Sequence, residues 1–561
     1  MIDERQQFRI LYRDFLARLI DLDVLSAGGD PQRLFVHFAA VLTALGFVLT
    51  IYLIPGYTST PLPHERLLLA ATGDQQFLAS FTMAITGIFG VLAWGAIFPD
   101  RRDSLILGTL PVRPRVVFLS KIAAVGSGLA VSVVAANLFI GISYPFVVPS
   151  PVPGVLGTLR TFAGYWLTMF AAGGFVFAVL LGVQGVTLLV LPYRYARRLA
   201  AFEQVAALFA IFGTFLLTPG GSLVRVTDPA SRPLMAWFPS YWFLGLYQQI
   251  SGPAHPVFEF LAARALAAIA ISAAAAAACY ALVYYRGTRA IVEQPDIAPS
   301  AKSSILPRLL RRPVDRAIVP FVVRTLARSS RHRLILAAYA GAAGAVALAY
   351  CRAYLFNGSA LYAQTRRYMR IAPWDRPNVA FLAAGIVMLI AMVYGVRAVF
   401  ALPSALRANW IFRVTAVHRP LAYIDAARLA YYLLAFAPLL FASAAVYFGV
   451  WQWQPALEHL LVFALLAVFL CERRLRGVHM IPFTRSYTPG KANLPVSLGV
   501  RGAAFLFLTD LGSRVELSAL ERRVRWVVLF AVMALLAYRA ARKRAELASE
   551  PGVRLSFEDT G

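Results

Sequence analysis

The stretch Leu34–Ile54, LFVHFAAVLTALGFVLTIYLI, contains no charged side chain over 21 residues. A helix rises 1.5 Å per residue, so about 20 apolar residues span the roughly 30 Å hydrocarbon core of a bilayer. Eleven further apolar runs follow in the chain, some of them shorter and three of them with charged residues, and together they predict an all-α, polytopic membrane protein with about twelve spans. The longer runs are Phe77–Phe98, Ile122–Val147, Thr161–Leu191, Val257–Tyr284, Pro377–Leu402 and Leu429–Val450, and the shorter are Val205–Leu217, Leu334–Tyr350, Leu460–Leu470, Leu494–Leu508 and Trp526–Tyr538.

Composition agrees with a membrane protein. Of the 561 residues, 59% are hydrophobic and only 14% are charged, whereas a soluble domain carries about 25% charged residues. The net charge of +27 could indicate nucleic-acid binding, but the basic residues lie in short tracts between apolar runs. Positively charged cytoplasmic loops explain this pattern, so no nucleic-acid partner is expected.

The distribution of Lys and Arg predicts the orientation of the chain. Most basic residues fall in cytoplasmic segments if both termini are cytoplasmic, which indicates a multi-pass protein of the inner (plasma) membrane. Two segments fit less well. The predicted external loop contains Arg366, Arg367 and Arg370, which could attract an anionic solute or lipid or could be a solvated face. Leu494–Leu508 carries Arg501 and is alternatively a re-entrant piece, so the count is eleven or twelve spans.

The chain also shows signs of duplication. An amphipathic helix is predicted before each half, at residues 5–23 and 305–327, and each should lie at the membrane interface. The predicted units are a first six-span half at 1–290, a linker with the second interfacial helix at 291–333, a second six-span half at 334–545 and a tail at 546–561. The apolar faces comprise Phe8, Leu11, Tyr12, Phe15, Leu16 and Leu19 in the first helix and Leu306, Leu309, Leu310, Ile318, Phe321 and Val322 in the second.

The loop after the second run has the most distinctive sequence, FPDRRDSLILGTLPVR at residues 98–113, and it continues to Lys121. Charged residues open this loop, a short apolar helix follows, and a Leu-Pro break ends it. We call residues 99–113 the first coupling segment. Its stiffness and charged flanks predict a structure that another protein can grip.

A second distinctive stretch, WFPSYWFLGLYQ, occupies residues 237–248. Aromatic side chains and proline suit an interfacial or re-entrant lid on the external side, since Trp and Tyr favour the headgroup level of a membrane. An ordinary aromatic belt explains these residues equally well. The candidate gate residues are Trp237, Pro239, Trp242, Phe243 and Tyr247.

Together the two stretches resemble the permease subunits of ATP-binding-cassette (ABC) exporters of the type-2 family. The resemblance covers the first 290 residues well and the remainder loosely. It implies that the first coupling segment forms a coupling helix against a separate ATPase and that residues 237–248 form an external gate. The coupling residues implied in the first half are Arg101, Arg102, Asp103, Leu107, Leu110, Pro111 and Lys121.

The matching loop of the second half runs from Leu402 towards Arg428, and we call residues 403–419 the second coupling segment. By the same resemblance, Arg407 or Asn409 replaces the charged pair, and Arg428 stands where Lys121 stands in the first half. The Leu-Pro break that ends the loop of the first half has no counterpart at the end of this loop, so coupling through it is less well supported. The implied residues are Arg407, Asn409, Arg413 and Arg428.

Missing motifs narrow the function. The sequence has no G-x-x-x-x-G-K-[ST] phosphate-binding loop, so ATP should be bound by a partner ATPase, expected in two copies. No loop of the Glu-Ala-Ala type seen in ABC importers is present, which favours export. The chain is therefore not expected to be an enzyme, and no catalytic, metal or cofactor site is predicted. The partners expected are the ATPase, membrane lipid and an exported substrate that the sequence does not identify.

Two other classes remain open. An ion-coupled secondary transporter usually keeps carboxylates at mid-membrane, and the predicted spans contain one acid, Glu259, near an end. An enzyme acting on lipid-linked substrates needs a cluster of catalytic or metal-binding groups, whereas the seven histidines are dispersed in the sequence. Both classes are less favoured than the exporter.

Overall fold

The computed structural model describes residues 3–20, 31–58, 64–98, 107, 110–148, 150, 152–218, 226, 228, 232–252, 255–293, 310–355, 374–402, 420–476, 481–484 and 494–548. Helices make up 89% of the structure, and no strand occurs among the described residues. The chain divides into two compact units, unit 1 (Met1–Ile297) and unit 2 (Ala298–Gly561).

Unit 1 contains eleven helical segments among its described residues. They are α1 (Glu4–Ile20), α2 (Pro31–Leu53), α3 (Pro55–Thr58), α4 (His64–Leu92), α5 (Trp94–Ile97), α6 (Pro114–Val147), α7 (Val155–Val190), α8 (Tyr193–Leu217), α9 (Arg232–Trp237), α10 (Pro239–Ser251) and α11 (Pro256–Glu293).

Unit 2 contains eight helical segments among its described residues. They are α12 (Pro313–Arg328), α13 (Ser330–Leu355), α14 (Val379–Ala401), α15 (Pro420–Ala435), α16 (Ala437–Val450), α17 (Trp453–Arg474), α18 (Leu494–Leu520) and α19 (Arg523–Ala548).

The chain is a multi-pass helical membrane protein. Ten segments within the described residues are long and apolar enough to cross a bilayer. The predicted count of twelve is not confirmed. The apolar part of α8, Phe202–Leu217, is shorter than these ten. The predicted span Leu494–Leu508 lies in α18, a 27-residue helix that also carries Asp510, Arg514 and Glu516 and is not among the ten.

Helix α1 has the predicted amphipathic pattern. Leu11, Phe15 and Leu19 are buried, whereas Arg9 and Arg13 are exposed. The buried face packs against α6 and α5 of unit 1. Its apolar side chains are therefore covered by protein side chains.

The core of unit 1 consists of two clusters of apolar side chains. One cluster joins α1 to Phe98, Val116 and Tyr280, and we call this part of the unit the α1 end. The other joins the end of α2 to Tyr144, Tyr165 and residues of α10, and we call it the α10 end. Small residues allow close helix contacts, as at Gly46 of α2, whose position faces the backbone of Ala136 in α6 without room for a Cβ atom.

Unit 2 has its own core, formed mainly by α12, α14, α15 and α17. Helix α12 begins at Pro313, and its buried stripe is Ile318, Val319, Val322 and Leu326. Of the predicted apolar face, Phe321 lies at the edge of this stripe: it is 38% exposed, and its ring contacts the buried ring of Phe483 edge-on. Of the other predicted members, Leu310 is buried, whereas Leu306 and Leu309 lie outside the described residues.

Candidate functional site

The first coupling segment is described only in part. Arg101, Arg102 and Asp103 lie outside the described residues. Leu107 packs against the apolar cluster of the α1 end, and Leu110 is 49% exposed. Pro111 is also exposed. The Leu110 side of the segment therefore presents apolar surface outside the core.

Lys121 is buried in the α1 end. Its Nζ donates a hydrogen bond to the carbonyl oxygen of Phe98 at 2.9 Å, and Nζ lies 5.1 Å from the ring centroid of Phe15. Burying an ammonium group is costly unless it is hydrogen-bonded, and a cation over an aromatic face gains further stabilisation. Lys121, which the family resemblance placed among the coupling residues, therefore contacts the residues that flank the segment and is only 4% exposed.

Further contacts join α1 to the same region. Tyr12 of α1 donates a hydrogen bond to the Ser127 hydroxyl of α6 at 3.0 Å, and Glu4 forms an ion pair with Arg113. The ion pair is exposed, so it contributes little stability. α1 is therefore held against α6 mainly by its buried apolar face and by the contact between Phe15 and Lys121.

The second coupling segment, with Arg407, Asn409 and Arg413, lies outside the described residues. Arg428 follows it in α15 and is paired with a buried carboxylate. Its Nε donates to Oε1 of Glu472 in α17 at 2.7 Å. Lys121 and Arg428, which were predicted at matching positions, thus both bond to an acceptor outside their own helix and within their own unit.

Glu472 is fully buried and is the centre of a charged cluster. Besides Arg428, the Tyr432 hydroxyl donates to Oε1 at 2.7 Å, and Nε of Arg544 in α19 lies 2.6 Å from Oε2. We call Arg428, Tyr432, Glu472 and Arg544 the Glu472 cluster. A buried carboxylate requires such partners, because an unpaired charge in a low-dielectric interior is strongly unfavourable.

The aromatic segment forms the end of α9 and most of α10, which begins at Pro239. Trp237 is 84% exposed, whereas Phe243 and Tyr247 are buried. Trp242 is half-buried, and its ring nitrogen donates to the carbonyl of Ala236 at 3.1 Å. The segment is therefore a short helix whose inner face belongs to the core of unit 1.

Helix α10 is tightly packed against its neighbours α4, α7 and α11. At Gly245 a Cβ atom would lie 2.7 Å from the Phe258 carbonyl oxygen and 2.8 Å from the Ala262 nitrogen of α11. Only a glycine at this position therefore permits so close an approach of α10 to α11.

Tyr247 of α10 is buried in the same end of the unit. Burial raises the pKa of Tyr247 to about 12, so this phenol stays protonated at neutral pH.

Polar side chains of α10 bond to α4. Gln76 donates to the Ser240 hydroxyl at 2.9 Å, and Gln248 donates to the side chain of Gln75. Next to these glutamines, Asp74 accepts a hydrogen bond from the Tyr57 hydroxyl. The α10 end of unit 1 therefore contains a polar group of side chains inside an otherwise apolar bundle.

The prediction that the spans contain only one acid, Glu259, is wrong. Helix α4 begins earlier than the apolar run, so its membrane segment Ala71–Leu92 includes Asp74. Segment Trp453–Arg474 likewise includes Glu472. In unit 2, Glu516 also lies inside the fold, where it pairs with Nδ1 of His459 at 2.7 Å. The predicted apolar runs stop short of these acids: Phe77–Phe98 begins after Asp74, Leu460–Leu470 ends before Glu472, and Leu494–Leu508 ends before Glu516.

Comparison with known proteins gives no relative. No family model matches the chain, and no significant match is found among curated proteins or solved structures. Among the described residues, no group of three or more His, Cys, Asp or Glu side chains is arranged to hold a metal ion.

Proposed function

We propose that the chain is the membrane-spanning subunit of an ABC exporter of the type-2 class, driven by a separate ATPase that grips the coupling segments. Each half contributes six spans, both termini are cytoplasmic, and the protein lies in the inner membrane. In this arrangement the α1 end of unit 1 faces the cytoplasm, and α10 lies on the external side.

One observation carries the proposal. The hydrogen bond from Lys121 to the Phe98 carbonyl connects the helix that follows the first coupling segment to the residue that precedes it. The two flanks of the segment are therefore held together inside the bundle, and α1 covers them through Phe15. If the ATPase pushes on this segment, α4, α5 and α6 move together, because the bond joins the helices on either side of the segment. A loosely attached loop would instead change its own shape and leave the helices in place.

The proposed chemistry of the contact follows from the residue types. Arg101, Arg102 and Asp103 pair with charges on the ATPase, while Leu107, Leu110 and Pro111 supply the apolar surface. In unit 2, the ATPase contact is made by Arg407, Asn409 and Arg413 of the second coupling segment. Arg428 then fixes the following helix, α15, to Glu472. One chain with two fused halves then forms the whole membrane unit for two ATPase copies.

The test is the purification of the tagged full-length chain from its native host, followed by an assay of ATP hydrolysis. We expect ATPase activity to co-purify with the wild type and to be lost when the charges are reversed in Arg102→Glu/Asp103→Arg. Arg160→Glu is the matched control, since Arg160 is exposed in the first turns of α7, away from the α1 end. Activity that is absent from the wild type, or equal in the double variant, contradicts the proposal.

A second candidate is an ion-coupled secondary transporter, and Asp74 favours it. A carboxylate within a membrane-spanning segment is costly and is a functional-site candidate by default. Transport driven by an ion gradient without ATP, and abolished by Asp74→Asn, would support this class. ATP-dependent transport that survives Asp74→Asn would support the exporter.

A further inference from the structure

Unit 2 contains two buried carboxyl groups, and the fold gives them different partners. Glu472 is paired with Arg428 and Arg544, whose guanidinium groups do not lose their charge in proteins. Glu516 of α18 is paired with His459 of α17, whose Nδ1 lies 2.7 Å from Oε1 of the carboxyl group. Histidine is the side chain whose charge ordinarily changes between about pH 5 and pH 8. The counter-charge of Glu516 is therefore one that a proton can add or remove.

The histidine pair is enclosed by aromatic side chains. His459 is fully buried, and Glu516 is only 5% exposed. The ring centroids of Tyr447, Trp451 and Phe463 lie 4.4, 5.9 and 5.6 Å from that of the imidazole. In such surroundings a net charge on the pair is unfavourable, because little solvent or polar protein reaches it.

The titratable groups next to the pair cannot supply a positive charge. Tyr447 of α16 interacts electrostatically with Glu516 and with the thiol of Cys351 in α13. The Tyr447 hydroxyl donates to the carbonyl oxygen of Phe381 in α14 at 2.8 Å. A phenol and a thiol are either neutral or negative, so neither can neutralise a carboxylate. Among the described residues, Glu516 forms an ion pair with His459 and with no other side chain.

The charged groups of the surrounding helices lie outside the pair. Glu458 of α17 accepts its side-chain hydrogen bond on the exposed face of that helix. In α18, Asp510 pairs with Arg514 at the surface. Helix α19 packs against α17, and Arg523 and Arg525 at its start are exposed. With a neutral imidazole, the pair would therefore be a buried negative charge without compensation.

We propose that the His459–Glu516 pair is a proton-binding site. The proton adds to the lone pair of Nε2, a buried atom that has no hydrogen-bond partner among the described residues. The N–H group on Nδ1 donates to the carboxylate throughout, so no other bond breaks and the pair changes from net negative to neutral. Release of the proton from Nε2 reverses the step. A proton requires no cavity, so the close packing of the rings is compatible with this ligand.

The position of the pair in the chain supports a role in proton binding. His459 lies six residues after Trp453, the first residue of the membrane segment Trp453–Arg474. At a rise of 1.5 Å per residue, His459 is about 9 Å inside this segment. Ionisable side chains within membrane segments are costly, and chains of Asp, Glu and His form the proton relays of pumps and transporters. The proposal does not depend on the exporter assignment, since proton binding requires only the pair and its surroundings.

The test uses the full-length chain in detergent, with the Cε1 atoms of its seven histidines isotope-labelled. NMR spectra recorded between about pH 8 and pH 5 follow the protonation state of each imidazole ring. His459→Gln identifies the His459 signal, and a through-space contact with the Tyr447 ring identifies it independently in the wild type.

Two further variants separate the pair from its surroundings. Glu516→Gln replaces the carboxylate with a neutral group of similar shape. Glu458→Gln is the matched control, because it neutralises a carboxyl group one residue before His459 on the exposed face of α17.

We expect the His459 ring to gain one proton reversibly over this range in the wild type and in Glu458→Gln. In Glu516→Gln the imidazolium would be a buried charge without a counter-charge, so we expect the proton affinity of His459 to fall at least about tenfold. A His459 ring that keeps one protonation state over the whole range, or that binds its proton equally well in Glu516→Gln, would overturn the proposal. The pair would then be a fixed contact between α17 and α18.

Discussion

The ammonium group of Lys121 and the carbonyl oxygen of Phe98 lie 2.9 Å apart and form a buried hydrogen bond. Phe98 directly precedes the first coupling segment, and Lys121 lies in α6, the helix that follows it, so the bond ties the start of the segment to that helix. The first prediction concerns this bond.

Replacing Lys121 with methionine keeps most of the length of the side chain and removes its charge and its hydrogen-bond donors. A hydrogen bond to a charged group contributes about 1.5–3 kcal/mol, so we expect a loss of thermal stability of this order. Trypsin should also cleave the segment faster at Arg101 or Arg102, since the start of the segment would no longer be bonded to α6. Arg115→Met on the exposed side of α6 is the control, and equal cleavage in both variants would show that Lys121 does not hold the segment.

Gly245→Ala should destabilise unit 1, because the new methyl group would meet the backbone of α11 at Phe258 and Ala262. Forcing an atom into a packed contact costs about 1–3 kcal/mol. Thermal unfolding in detergent measures the effect. Gly174→Ala in α7 is the control, since a Cβ atom there has no neighbour within 4 Å. A similar loss in both variants would point to a general effect of helical glycine.

Glu472→Gln should destabilise unit 2 by about 3–5 kcal/mol, because Arg428 and Arg544 would lose their buried counter-charge. The double variant Arg428→Met/Glu472→Met should lose less stability than the sum of Arg428→Met and Glu472→Met, because it leaves neither member of this pair without its counter-charge, while Arg544 loses its partner equally in both variants that lack Glu472. Asp510→Asn breaks the exposed pair with Arg514 and should cost only about 0–1 kcal/mol. If the loss of stability in the double variant equalled the sum of the losses in the two single variants, Arg428 and Glu472 would not stabilise each other.

Cysteine labelling tests the proposed orientation. In a variant without Cys279, Cys351 and Cys471, a cysteine at Arg13 or at Arg160 should fold normally, since both side chains are exposed. A membrane-impermeant maleimide applied to intact cells should label Arg160→Cys and leave Arg13→Cys unlabelled until the cells are opened. The reverse pattern would invert the topology and place the coupling segments outside.

The sequence predicted the positions of the helices and their buried faces, because both depend on residues that are close together in the chain. The helical period of Leu11 and Phe15 gave the buried face of α1, and apolar runs located the helices that cross the membrane. The same period gave the buried stripe of α12 at Ile318 and Val322, with the 38%-exposed Phe321 at its edge.

The buried acids were missed for a different reason. Glu472 bonds to Arg428, 44 residues earlier, and His459 bonds to Glu516, 57 residues later. A charge next to an apolar run is predicted to lie in a loop unless its partner is known, and the partner is determined by the tertiary fold. The inward position of Lys121 was likewise not readable, because its acceptor is a backbone carbonyl that has no sequence signature.

The bonds between α4 and α10 have a consequence for how the protein is made. Gln76 and Ser240 are 164 residues apart, and Gln75 and Gln248 are 173 apart. A ribosome adds about 5–20 residues per second, so Gln75 and Gln76 are synthesised roughly eight to thirty-five seconds before their partners in α10. During that interval the amides of α4 lack their final partners in the bilayer. Unit 1 therefore cannot finish assembling helix by helix as it is inserted, and the bonds at its α10 end form only after α10 has been synthesised.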